Sequence, residues 1–93
     1  MFIENLKKEG KEMKEYVFSG EQSGELCRSK SLVEIYHTSK DIKEFDRKNG
    51  IDDIYYYEVE IESDEKDERG HKIVYTHEVK IYKRGRKIFC KRV

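Results

Sequence analysis

Residues 54–93 read IYYYEVEIESDEKDERGHKIVYTHEVKIYKRGRKIFCKRV, and three runs within them alternate apolar and polar residues with a period of two. Side chains on a strand point to alternate faces, so each run is predicted to be a strand with one apolar side. With Asp64 to Gly70 as a hairpin loop, Ile61 falls opposite Ile73, Val59 opposite Tyr75, Tyr57 opposite His77 and Tyr55 opposite Val79. With Arg84-Gly85 as the second turn, between Lys83 and Arg86, Ile81 falls opposite Ile88, Val79 opposite Cys90 and His77 opposite Arg92. A slip of one residue in either hairpin would carry charged side chains into the shared apolar face. Two separate turns thus agree on one core, and a three-stranded antiparallel meander is expected.

Upstream of the meander, Met13 to Phe18 (MKEYVF) has the composition of a further strand, stopped by the glycines and serines of SGEQSG, which read as a turn or surface loop. From Ser31 the period becomes helical: Leu32, Ile35, Tyr36, Ser39, Ile42 and Phe45 recur at steps of three and four, and Asn49-Gly50 is a stop. Ser31 and Glu34 have the spacing of a capping box. Thr38-Ser39 offers the backbone competing hydrogen bonds and is expected to divide the stretch into two shorter helices. The fold class expected is α+β: an antiparallel sheet of three to four strands in the order strand, helix, strand, strand, strand, with one helix or a broken helix on the apolar face. The pairing of the first strand is left open, and with it an open sheet edge.

Residues 1–12 stand apart. Phe2, Ile3 and Leu6 make too short an apolar stripe to dock firmly, and Gly10 interrupts it. Lys8-Glu9-Gly10 can also be encoded by a ribosome-binding purine run ahead of Met13. This segment is expected to be a mobile N-terminal piece or an upstream extension, with residues 13–93 as the single domain.

Composition narrows the function classes. A 93-residue chain that is 43% charged and 35% hydrophobic buries a small core and leaves no room for a large internal substrate cavity. Its 20 basic and 20 acidic side chains cancel, so attraction to nucleic acid or to an anionic membrane must come from local asymmetry. No apolar run reaches the length of a signal sequence or a membrane span, which makes the cytoplasm the expected location. Cys27 and Cys90 are too few for a disulfide framework or a zinc knuckle; both are expected reduced, with Cys90 in the core.

Catalytic chemistry finds little support. His37, His71 and His77 include no pair at metal-ligand helical spacing, and no HExxH or CxxC is present. His71 and His77 share a strand face but lie roughly 20 Å apart at the strand rise, too far to hold one ion. His77 is expected to be partly buried, bonded to Tyr57 or close to Arg92, and His37 to sit on the helix surface. There is no P-loop, GxGxxG or GxSxG. Asp52-Asp53 reads as a turn, and Glu58, Glu60, Glu62, Asp64 and Glu65 as a solvated strand face and loop, with Lys72 opposite Glu62. No catalytic residue, metal or cofactor is assigned.

The outward face of the meander is more informative. In this register Tyr82 lies beside Lys87, Lys80 beside Phe89 and Glu78 beside Lys91, while Lys83, Arg84 and Arg86 crowd the turn. Rings interleaved with cations suit a single-stranded nucleic acid, whose bases stack and whose phosphates pair, and this set is Lys80, Lys83, Arg84, Arg86, Lys87 and Lys91. Equally, Tyr56, Tyr82 and Phe89 are rings of the kind that anchor protein interfaces, with Val74 and Val93 nearby, and the acidic loop of Asp64, Glu65 and Asp67 would orient a partner. An open edge admits strand addition from a partner or a second copy, giving a homodimer.

The Lys/Glu/Ile/Tyr-rich, Pro-free composition, shown most densely by IDDIYYYEVEIESDEKDE from Ile51 to Glu68, resembles in general character the small accessory proteins of bacteriophages and mobile elements, including anti-CRISPR proteins. The resemblance implies an inhibitor that occludes a nucleic-acid-processing complex by protein contact, in the cytoplasm of the host. Three classes stay open: a protein-binding inhibitor, a nucleic-acid binder using the C-terminal hairpin, and an enzyme acting through His37 or His77.

Overall fold

The computed structural model describes residues 13–93; the expectations for residues 1–12 lie outside the described residues. Five strands and one helix follow in the order β1 (Met13–Gly20), β2 (Gly24–Ser29), α1 (Leu32–Lys48), β3 (Tyr55–Lys66), β4 (Lys72–Arg84) and β5 (Lys87–Arg92). All neighbouring strands are antiparallel, and they lie in the order β2-β1-β3-β4-β5. The α+β class and the C-terminal meander are as expected, but the sheet has five strands. Among the described residues no helix is long and apolar enough to cross a membrane.

The added strand is β2. It pairs with β1 through a bulge between Phe18 and Ser19 that leaves Leu26 without an opposite residue. That extra residue breaks the alternation of GELCRS, which is why the segment does not read as a strand in sequence. The turn between β1 and β2 is fastened from a distance: Asp53 accepts hydrogen bonds from Gln22 N at 3.0 Å, Ser23 N at 3.1 Å and Ser23 Oγ at 2.7 Å. With β2 outside it, β1 is an interior strand, and the expectation of an open edge there is corrected. The edges are β2 and β5.

Both hairpins of the meander are displaced by two residues from the expected register. Tyr57 faces Val79, Val59 faces His77 and Ile61 faces Tyr75. The cause lies in the loop, which closes late. Asp67 Oδ1 accepts from Arg69 N and His71 N, both at 2.9 Å, so β3 runs on to Lys66, and an irregularity between Glu62 and Lys66 takes up the surplus residues. Lys72 consequently faces Lys66, and Glu62 faces Val74. In the second hairpin the central residues are Gly85-Arg86, with Gly85 at φ +64°, because a two-residue turn of this hand takes its glycine first. Val79 then faces Arg92, and Ile81 faces Cys90. A shift of two keeps every side chain on its predicted face.

The core is centred on Phe18, which is wholly buried with Ile35 of α1 and is packed with Val59, Val79 and Ile81. Tyr55 stacks on Phe18 at 5.3 Å between ring centroids and Tyr57 tilts against it at 5.2 Å. Burying a ring of this size contributes about 3 kcal/mol. Helix α1 is unbroken through Thr38-Ser39, contrary to expectation. Ser39 Oγ donates to Tyr36 O at 2.9 Å and meets Tyr57 Oη at 2.6 Å, so its hydroxyl bonds within the helix and to the sheet without displacing the backbone ladder. The cap is relayed. Ser31 Oγ accepts from Glu34 N at 3.1 Å, Ser31 N donates to Ser29 Oγ at 2.9 Å, and Ser29 Oγ donates to the Glu34 carboxylate. At the other end Asn49 Nδ2 donates to Phe45 O and Gly50 takes φ +73° to turn the chain away.

The buried stripe of α1 runs through Ile35 and Ser39 to Asp46, not to Phe45, which is 62% exposed. Asp46 accepts from Tyr55 Oη at 2.5 Å, and this bond pushes the tyrosine up to about 12. Cys90, expected in the core, lies on the helix side of the sheet but is exposed, on the edge strand β5.

Candidate binding surface

The helix covers one face of the sheet and leaves the other open. Along the open face the strands set out rows of side chains that follow directly from the register. One row is Ser19, Tyr56, Lys80 and Lys91; the next toward the β4–β5 turn places Tyr82 opposite Phe89; beyond it Arg84 faces Lys87. On the other side of Lys80 and Lys91, Glu58 faces Glu78. The two-residue correction therefore changes who meets whom. Rings pair with rings: Tyr82 and Phe89 stack at 5.6 Å with 26° between planes. Cations pair with cations, as Lys80–Lys91 and Arg84–Lys87.

Like charges directly opposite one another on a sheet are destabilising, by roughly 0.2–1 kcal/mol per pair. Lys80 and Lys91 have no carboxylate within ion-pair distance among the described residues. Arg84 instead rests over the Tyr82 ring, 6.0 Å from its centroid. Tyr56, Lys80, Tyr82, Arg84, Lys91 and Val93 line a shallow groove of about 690 Å3 on this face. Its geometry offers aromatic surface for stacking and the positive charges of Lys80, Arg84 and Lys91, while Glu78, from the adjoining acidic row, also lines it.

The candidate residues separate into those that the fold gathers and those that it disperses. Tyr56, Tyr82 and Phe89 come together with Lys80, Arg84, Lys87 and Lys91. Lys83 falls on the helix side, opposite Ile88, and Arg86 is in the turn itself. Asp64, Glu65 and Asp67 lie at the far end of the β3–β4 hairpin, roughly 40 Å from Arg84 at the rise of a strand as long as β4. Two of these acids are engaged locally. Asp67 holds its own turn, and Glu65 accepts from Tyr75 Oη at 2.7 Å, which raises the tyrosine. Val74 is near that same end and not beside Tyr56.

A second charged arrangement on the open face escapes a reading of the sequence. Arg28 of β2 bonds Glu25 through Nε and Nη2, both at 2.7 Å, and reaches Glu15 at 2.9 Å and Glu60 at 3.0 Å through Nη1. The bidentate bond to Glu25, followed by those to Glu15 and Glu60, raises the guanidinium, and Arg28 in turn holds Glu25 below its ordinary value. These four residues come from three strands, and the only signal for them was a strand that the bulge disguised.

The histidines are dispersed. His77 is half-buried, and its Nδ1 accepts from Arg92 Nη2 at 2.9 Å, because a guanidinium only donates. The Tyr57 hydroxyl goes to Ser39 instead. His37 is exposed on α1, edge-on to Tyr36, and His71 lies in the loop. Asp53 serves the β1–β2 turn, and its hydrogen bonds from Ser23, Gln22 and Ile54 hold its carboxyl below the usual range. Among the described residues no three His, Cys, Asp or Glu side chains are grouped to hold a metal.

Comparison with known proteins yields no match: no family model, curated protein or solved structure is similar to this chain.

Proposed function

We propose that the chain is a small non-enzymatic binding protein that docks a protein partner on the open face of its sheet and inhibits that partner by occlusion, the target being a nucleic-acid-processing complex of a bacterial host. The observation that carries this reading is the unpartnered row of Lys80 and Lys91 beside the stacked Tyr82 and Phe89. The fold tolerates a like-charge pair at some cost in stability, and an acidic surface seated there would remove that cost. The rings supply apolar area at the centre of the contact, where interface energy concentrates.

Rings and cations together also favour a single-stranded nucleic acid. The adjoining Glu58–Glu78 row counts against it, since phosphates crossing this face would meet two carboxylates side by side. The test uses the full chain immobilised and exposed to bacterial lysate, with and without nuclease, at low and high salt. The expected outcome is a discrete protein that survives nuclease and is lost with Tyr82→Ala and with Lys91→Glu. Recovery that disappears with nuclease assigns the face to nucleic acid instead.

A further inference from the structure

The sheet has a second concavity on its helix side, away from the open face. Edge strand β5 and helix α1 touch, and a groove of about 430 Å3 lies between β5, β4, β3, β1 and the start of α1. Its floor is apolar, made by Leu32, Val59, Ile61, Val79 and Ile88. Its rim is polar: Lys14 and Tyr16 from β1, His77 from β4, Cys90 and Arg92 from β5. Among the described residues no carboxylate lines it.

Among the described residues neither Lys14 nor Arg92 has a carboxylate within ion-pair distance. Among the described residues the Arg92 side chain bonds Nδ1 of His77, which orients the guanidinium without supplying a negative charge. The rim groups are also close enough to feel one another. Burial pushes the Tyr16 phenol up, with Cys90 adding to the effect, and burial pushes the Cys90 thiol up while Lys14 draws it down.

An apolar floor under a rim that carries Lys14 and Arg92 has the size and lining of a small-molecule site. We infer that this groove binds a small amphipathic anion, a medium-chain carboxylate whose chain lies along the Val59–Val79 floor and whose carboxylate pairs with Arg92 and Lys14. Arginine suits the role because its fork accommodates both carboxylate oxygens. Apart from Phe89, which also lines it, the site is separate from the sheet face to which partner binding is assigned.

The experiment is a titration of the full chain with octanoate, followed by backbone amide NMR, with octanol as the uncharged control. Saturable shifts confined to Tyr16, His77, Ile88, Cys90 and Arg92 are expected, with octanol binding roughly tenfold more weakly, the size of one charge-assisted hydrogen bond. Arg92→Gln is expected to abolish the preference for octanoate over octanol while leaving the remaining amide spectrum dispersed. Should that variant unfold, a measurement on the unaltered protein decides: the rate of alkylation by iodoacetate relative to neutral iodoacetamide, taken at each cysteine. Cys90 lines the groove together with Lys14 and Arg92, whereas Cys27 lies near Glu25 and Glu34, so the ratio is expected to be higher at Cys90 and to fall on adding octanoate. Shifts centred on exposed Phe45, Ile51 and Ile54, equal binding of octanol, or equal ratios at the two cysteines would overturn the inference.

Discussion

Ser39 Oγ and Tyr57 Oη lie 2.6 Å apart, joining the middle of α1 to the first residues of β3 at the one wholly buried polar side chain of the helix. The single proton of Ser39 is committed to Tyr36 O, so Tyr57 donates. Removing Ser39 leaves a half-buried phenol without its partner.

Ser39→Ala is therefore expected to destabilise the fold by about 1–2 kcal/mol in urea denaturation. Tyr57→Phe in the same background should add little, because the shared bond is already lost. Fully additive losses would mean that the two hydroxyls act separately.

The approach of Asp53 to β1 has a steric counterpart at Gly20. A Cβ built there would stand 2.3 Å from Asp53 Oδ2, so Gly20→Ala must displace the carboxylate that holds Gln22 and Ser23. A loss of about 1–3 kcal/mol is expected, as for other overpacked sites. Combining it with Asp53→Ala removes the clash, and the double variant should be less destabilised than the sum of the two.

Acid sensitivity follows from the same carboxylate. The folded value of Asp53 is depressed, so the unfolded chain binds more protons as pH falls. Its contribution is complete above the unfolded value of about 4 and is lost as pH falls through the lower folded value. Glu25, held down by Arg28, acts in the same direction. Asp53→Ala should flatten the acid limb of a stability–pH profile, and an unchanged limb would assign it to other groups.

Arg28→Lys is not a conservative change, since an ammonium cannot bond Glu25 bidentately while reaching Glu15 and Glu60. The side chain is 36% exposed, so solvent screening limits the loss to about 1 kcal/mol or less. The difference between variant and parent should shrink in 1 M salt, where the Debye length is about 3 Å.

Stability and binding should move in opposite directions at Lys91. Lys91→Glu converts the opposed Lys80–Lys91 pair into an attractive one and is expected to stabilise the fold by about 0.2–1 kcal/mol. The same change should weaken partner capture on that face. If capture is unaffected while stability rises, the open face is not the binding surface.

The fold class, the meander and which face each side chain takes could be read from the chain, because alternation is a property of single strands. Ile61, Val59 and Tyr57 keep their inward direction even though every partner moved by two places. The helix was equally legible from Ile35, Ser39 and Ile42 at their spacing, and its stop from Asn49-Gly50. Pairing depends on turn closure, and closure depended on Asp67 bonding two backbone amides and on Gly85 leading its turn.

Long-range contacts decided the rest. The strand β2 was hidden because its bulge breaks the period and because the residue that fastens its turn, Asp53, is thirty positions away from Ser23. The candidate surface shows the same division. Sequence placed Tyr82, Phe89, Lys80 and Lys91 on one outward face, since that needs only parity. Only the closed hairpin set ring against ring and cation against cation, and only the crossing of three strands brought Glu15, Glu25 and Glu60 to Arg28. A residue's face is a local property of the backbone, whereas its neighbours are chosen by how distant segments close upon each other.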